Sequence, residues 1–171
     1  CESFEAFPPG HYYTPKTGFV KNYQPTWEDE LLAVEKLDLQ AIRESLTEAV
    51  RKRLMSDVPV GVLLSGGLDS SLTSSIAARL LEQSGKKLHS FSIGLDAAAP
   101  DAVAAREVAN FLETEHHEIH FTIEEGIQIL EQLIWHLETY DVTSVRASTP
   151  MYFLSKAITD MGIKVVLSGE G

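Results

Sequence analysis

The stretch from Pro59 to residue 83 constrains this chain more than any other. Val60-Gly61-Val62-Leu63-Leu64 is an apolar run without polar alternation, the pattern of a strand buried on both faces. It leads directly into Ser65-Gly66-Gly67-Leu68-Asp69-Ser70, and residues 70–83 then read as a helix that ends before Gly85. A buried strand, a small-residue turn and a helix in succession aim unpaired backbone N–H groups at one spot. The positive end of the helix dipole points there too, which makes an anion site. Gly66 and Gly67 let an anion approach the main chain, and Ser65, Ser70 and Ser71 add hydroxyl donors. Asp69 carries the most information. A carboxylate repels a phosphate unless a divalent cation bridges them, so the loop points to Mg²⁺ with a nucleoside triphosphate or its pyrophosphate product. Taken alone, the six residues also suit a tight turn in which Asp69 merely caps the helix.

The same alternation continues along the chain. Leu39, Ile42, Leu46, Val50 and Leu54 recur at helical spacing. Residues 88–95 (LHSFSIGL) predict a second strand and 101–112 a helix resting on Val108 and Leu112. Residues 116–121 (HHEIHF) predict a third strand, and Ile123, Ile127, Leu130, Ile134 and Leu137 a third helix. Ser148-Thr149-Pro150 reads as a helix start, with a capping hydroxyl and a proline in the first turn, and that helix runs to about Met161. Lys164 to Leu167 is a last strand. Strand and helix in alternation predict an α/β fold with a doubly wound parallel sheet over residues 37–171. Residues 1–27 differ: His11-Tyr12-Tyr13 and Phe19-Val20-Lys21-Asn22-Tyr23, joined by a Pro/Gly-containing loop, predict a β-hairpin belonging to a preceding domain. Residues 28–36 read as an acidic linker.

Composition narrows the partners. A net charge of −11 argues against gripping a nucleic-acid backbone, and no apolar run approaches the roughly 20 residues of a membrane span. The single cysteine, Cys1, excludes an intrachain disulfide and a cysteine-based metal site and suits a reducing compartment such as the cytoplasm. His116 and His120 share one face of their strand while His117 points away, and with no third ligand evident the cluster reads as a structural strand.

Other phosphate and catalytic motifs fail. A P-loop requires a lysine where Leu68 follows Gly67, G-x-G-x-x-G has no match, and Leu63 and Val166 break a serine-hydrolase elbow at Ser65 and Ser168. The loop instead resembles the S-G-G-x-D-S signature of the ATP-pyrophosphatase, or adenine-nucleotide α-hydrolase, enzymes. Within that group the chain is similar to the synthetase domain of the glutamine-hydrolysing asparagine synthetases. The resemblance runs through RKRLMSDVPVGVLLSGGLDSS (51–71), LHSFSIGL (88–95), HHEIHFT (116–122), ETYDVTSVRASTPMYFLSK (138–156) and VVLSGEG (165–171). FPPGHYY resembles the final hairpin of that family's glutaminase domain. The family's nucleophilic cysteine is followed by glycine, whereas Glu2 follows Cys1, so Cys1 does not inherit that role.

The resemblance implies ATP, Mg²⁺, aspartate, and ammonia from a glutaminase domain as partners, with a homodimer compatible in the full-length parent. It places main-chain groups of Leu64 and Ile93 at the adenine. Ser65, Gly66, Gly67, Asp69 and Ser70 fall at the pyrophosphate, with Asp69 toward Mg²⁺, and Ser168 and Gly169 border the nucleotide. Glu170 is the acidic residue that forms or uses a β-aspartyl-adenylate. Arg146 could face aspartate or phosphate, or equally pair with Glu138 or Asp141. Ala99 replaces the serine of the family's usual Ser-Pro-Asp, which removes a hydroxyl near the ribose. The family pattern continues past S-G-E-G to a further metal-serving aspartate and a lysine, both beyond Gly171, so these 171 residues alone are expected to bind ATP weakly and turn nothing over. Other adenylating enzymes of the same fold, such as β-lactam or argininosuccinate synthetases, or a non-catalytic nucleotide binder, are the alternative readings.

Overall fold

Three apolar clusters, formed by strands with helices on both of their faces, organise the larger part of the chain. The computed structural model describes residues 4–28 and 36–170. Cys1, Gly171 and residues 29–35, most of the expected linker, lie outside the described residues. The chain divides into two compact units, residues 1–41 and 42–171.

In the first unit, β1 (His11–Thr14) and β2 (Gly18–Lys21) pair antiparallel with Tyr12 opposite Val20. Phe19 meets Phe7 and Tyr13 edge to face, with ring centroids 5.0 and 5.2 Å apart. This is the expected hairpin.

In the second unit, β3 (Val60–Leu63), β4 (His89–Gly94), β5 (Glu115–His120) and β6 (Val165–Leu167) form a parallel sheet in the order β5-β4-β3-β6. Val60, Gly61 and Val62 are buried, as their lack of alternation requires. On one face, Val62 and Leu88 pack with Val50 of α1 (Leu39–Arg53) and with Ile76 and Ala77 of α2 (Leu68–Glu82). Leu64 packs there against Ala105 and Ala109 of α3 (Pro100–Phe111). On the other face, Phe91 packs with Leu154 and Ile158 of α6 (Val142–Asp160) and with Ile163. Gly61 makes room for that ring, since a Cβ there would stand 2.6 Å from Phe91 Cε2. No helix among the described residues is long and apolar enough to cross a membrane.

Four local expectations change. In α1, Leu39 and Ile42 are exposed, and burial centres on Val50. α3 buries Ala102, Ala105 and Ala109 most deeply, because small side chains let the helix sit close to the sheet, while the expected Val108 packs half-buried beside them and Leu112 is half-buried just past the helix. The third helix is two pieces, α4 (Ile123–Gln128) and α5 (Leu130–Leu137), with Ile123 and Ile127 exposed and Gly126 and Leu133 buried. α6 begins two turns before Ser148: the Asp141 carboxylate accepts from Ser144 N–H at 2.8 Å and caps it, so Pro150 lies inside the helix. Thr149, beside that proline, turns its hydroxyl back to the Val145 carbonyl (2.8 Å) instead of capping.

Candidate functional site: the loop at the carboxyl edge of the sheet

The β3–β4 pairing ends at Leu63 opposite Phe91, followed by one bond from Leu64 N–H to the Phe91 carbonyl at 2.8 Å. Beyond it the strands open into a cavity of about 380 Å³. Leu64, Ser65, Gly67, Asp69, Ser70, Ile93, Ser168, Gly169 and Glu170 all line it, so three separate sequence motifs meet at one place. This is the carboxyl end of the parallel strands, where open α/β sheets bind ligands.

The loop is held from within. Ser70 is buried and sits at its centre: its Oγ lies 3.0 Å from Ser65 Oγ, accepts from Ser65 N–H at 3.3 Å and donates to the Gly67 carbonyl at 3.2 Å. Gly67 N–H donates to Ser65 Oγ at 3.4 Å. The two serines therefore fix the loop's shape as well as facing its cavity. Gly66 takes φ +78 with its Cα pressed against α3, since a Cβ would lie 2.6 Å from Ala104 and Ala105 backbone atoms. It shapes the turn without lining the cavity. Ser71 does not supply the expected donor. Its Oγ is buried with no hydrogen-bond partner among the described residues and is not among the lining groups.

Gly67 is the N-cap of α2 in extended conformation, and no side chain caps the helix. The first-turn N–H groups of Leu68, Asp69 and Ser70 thus have no intrahelical acceptor. Asp69 is exposed, lines the cavity, and makes no hydrogen bond or ion pair among the described residues. The reading of Asp69 as a helix cap does not hold. What remains is a set of N–H donors beside a free carboxylate, which suits an anion accompanied by a divalent cation.

Ser168-Gly169-Glu170 follows β6. Glu170 N–H donates to Ser168 Oγ at 3.0 Å, and the Glu170 side chain is exposed at the cavity rim. Arg146 lies elsewhere. It is exposed within α6, is not among the lining residues, and pairs with neither Glu138 nor Asp141.

Sequence reasoning missed part of the lining. Phe91, Met151 and Leu154 supply apolar wall, and Asp101 adds a third carboxylate to Asp69 and Glu170. Asp101 was signalled only by its place in Ala99-Pro100-Asp101, the counterpart of the family's Ser-Pro-Asp, and Met151 and Leu154 by nothing but their place on α6. Ala99 is the N-cap of α3 and has no side chain to fill that role.

A family model described as asparagine synthase matches residues 41–171, most of the chain. The chain belongs to the asparagine synthase family. It is 53% identical over 178 residues to the glutamine-hydrolysing asparagine synthetase of Sandersonia aurantiaca, covering 100% of this chain and 34% of that protein. It is 54% identical over 187 residues to a probable glutamine-hydrolysing asparagine synthetase of Dictyostelium discoideum, covering 100% of this chain and 33% of the relative. This asparagine synthase-family chain thus spans about a third of the length of the curated relatives it matches. Its fold is shared with a U34-tRNA thiolase of Methanococcus maripaludis, at TM-score 0.60 and 17% identity, covering 80% of this chain and 48% of that one. An NH3-dependent NAD synthetase of Campylobacter jejuni shares it at TM-score 0.51 and 21% identity, covering 75% and 56%. The parallel sheet with its flanking helices is therefore the fold that this chain has in common with both.

Proposed function

We propose that this chain is the nucleotide-binding part of an enzyme that makes asparagine from aspartate, ATP and glutamine. One observation carries the reading: the first-turn N–H groups of α2, the Asp69 carboxylate, which has no partner among the described residues, and the Ser168-Gly169-Glu170 segment face a single cavity. The first-turn N–H groups suit the phosphates, and the main chain of Leu64 and Ile93, where the sheet opens, suits the adenine. Asp69 is the residue to hold Mg²⁺, which when bound neutralises phosphate charge and improves pyrophosphate as a leaving group.

In the reaction, a β-carboxylate oxygen of aspartate bonds to the α-phosphorus while the bond to the bridging oxygen breaks and pyrophosphate departs. The loop N–H groups meet the charge that grows on the departing oxygens. Ammonia, delivered by a glutaminase domain, then attacks the acyl carbon and AMP leaves. Glu170, at the rim, accepts the proton lost by the attacking nitrogen or orients the aspartate amine. Gly66 shapes the loop. Arg146, exposed on α6, is the cation proposed to meet the aspartate carboxylates. A cytoplasmic location and a homodimer belong to the same proposal, as does the hairpin of residues 1–27 as the end of the glutaminase domain.

Asp69→Asn tests the loop. The substitution should leave stability within about 1 kcal/mol, the range of a helix-terminus charge effect, while removing the Mg²⁺ dependence of ATP binding measured by calorimetry. ATP binding indifferent to both Mg²⁺ and this substitution would sink the reading. Pyrophosphate release that requires aspartate, measured on the longer protein with its glutaminase domain, separates it from other adenylating enzymes of the fold.

A further inference from the structure

The opposite end of the sheet, at the amino ends of β4 and β5, holds a group of side chains that the nucleotide cavity does not use. His89 opens β4 and is paired with Glu115, which opens β5, while His117 follows two residues later on the same face. His89 Nδ1 and His117 Nε2 are 3.2 Å apart. The Glu115 carboxylate straddles them, with Oε2 3.8 Å from His89 Nδ1 and Oε1 3.9 Å from His117 Nε2. One ligand atom from each residue lies within 4.8 Å of the others.

Those separations suit a common ion. Nitrogen and oxygen ligands about 2.0–2.2 Å from a tetrahedral ion stand roughly 3.3–3.5 Å from one another. The two imidazole nitrogens, at 3.2 Å, stand just inside that spacing. The carboxylate is slightly farther out, and its side chain is 52% exposed, so a small rotation brings it in. The His117 ring is held in place by stacking on Phe91, which is fully buried, at a centroid distance of 5.0 Å and 20°. His89 stacks on His117 at 5.5 Å and 17°.

The other histidines of these strands are otherwise engaged. His116 faces the opposite side, with Nδ1 2.8 Å from Ser90 Oγ and Nε2 3.2 Å from Ser92 Oγ. His120 Nε2 lies 3.8 Å from Glu118 Oε2. Of the three histidines read on β5 only His117 takes part, and its imidazole partner His89 comes from β4, which only the strand register brings beside β5. Two imidazoles with one carboxylate favour Zn²⁺-class ions over Mg²⁺ or Ca²⁺, which prefer all-oxygen shells. We propose that His89, Glu115 and His117 form a Zn²⁺-class divalent-metal site that clips the edge strand β5 to β4.

The test uses the whole chain carrying Cys1→Ser, so that no thiol competes for zinc, with excess Mg²⁺ to occupy the carboxylates of the nucleotide cavity. Calorimetric titration with Zn²⁺ should give one ion per chain, with a rise in Tm, since an ion that binds only the folded state stabilises it. His89→Gln and His117→Gln should each abolish the Tm rise and weaken binding by more than the about 10–100-fold that outer-shell changes cost. His116→Gln should bind as before. A readout on the unsubstituted residues guards against misfolded variants: Co²⁺ should broaden the His89 and His117 ring resonances before those of His11, His116, His120 and His136. Absence of Zn²⁺ binding, binding that survives both His89→Gln and His117→Gln, or Co²⁺ broadening that begins at other histidines would overturn the proposal.

Discussion

A Cβ on Gly169 would stand 2.6 Å from the backbone nitrogen of Ser70 and 2.8 Å from the carbonyl carbon of Asp69. The segment after β6 therefore lies directly on the first turn of α2, main chain against main chain. This contact joins the two sequence motifs, 65–70 and 168–170, into one cavity wall. Neither backbone can yield as a flexible side chain would.

Gly169→Ala should consequently push β6's exit away from the loop. The expected cost is about 1–3 kcal/mol, the usual range for overpacking, with ATP affinity falling at the same time because the N–H groups of α2 lie at the contact. Urea denaturation and an ATP titration on the same variant check both halves. Unchanged stability would mean that the segment and helix do not touch.

Ala99 offers a change in the opposite direction. It occupies the N-cap of α3, where its carbonyl accepts from Val103 N–H at 3.1 Å but its side chain caps nothing. Ala99→Ser supplies an acceptor for the first-turn N–H groups and should stabilise the chain by about 1 kcal/mol. The measurement is the urea midpoint, with an unchanged slope. Because Asp101 in the same turn lines the cavity, the variant should also bind ATP no less tightly.

The order of elements was legible in the sequence because parallel strands are short apolar runs bounded by small or polar residues, as the buried 60–64 run and the partly buried Val165-Val166-Leu167 are. The loop was legible because its glycines and Asp69 make little sense as packing. Helix ends were harder. Ser148-Thr149-Pro150 carries the letters of a cap, yet Asp141 captures Ser144 N–H first and the helix runs through the proline. Local signals of similar strength compete, and packing of Leu154 and Ile158 on Phe91 decides between them. The His89–Glu115–His117 group was invisible because its ligands lie 26 and 28 positions apart, joined only by the register of β4 with β5.

The α3–β5 side of the sheet sets a pH dependence that can be worked out residue by residue. Arg106 donates from Nε to Glu118 Oε1 at 2.5 Å and from a terminal nitrogen to Oε2 at 2.8 Å, and these bonds hold the Glu118 carboxyl below its ordinary 4.5. Beside it, burial pushes the His116 imidazole below its ordinary 6.5, outweighing the attraction of Glu118. Both groups bind protons more tightly in the unfolded chain, so each favours folding as pH rises. The His116 contribution is complete above about 6.5 and shrinks as pH falls through its lowered folded value. The Glu118 contribution is complete above about 4.5 and shrinks on further acidification. Stability followed by urea denaturation should therefore decline in two steps below neutrality. His116→Gln should flatten the upper step and leave the lower one, and Arg106→Met should shrink the lower one. The His116 ring protons, followed by NMR, should titrate with a midpoint below 6.5; a midpoint above it would contradict the burial on which the upper step rests.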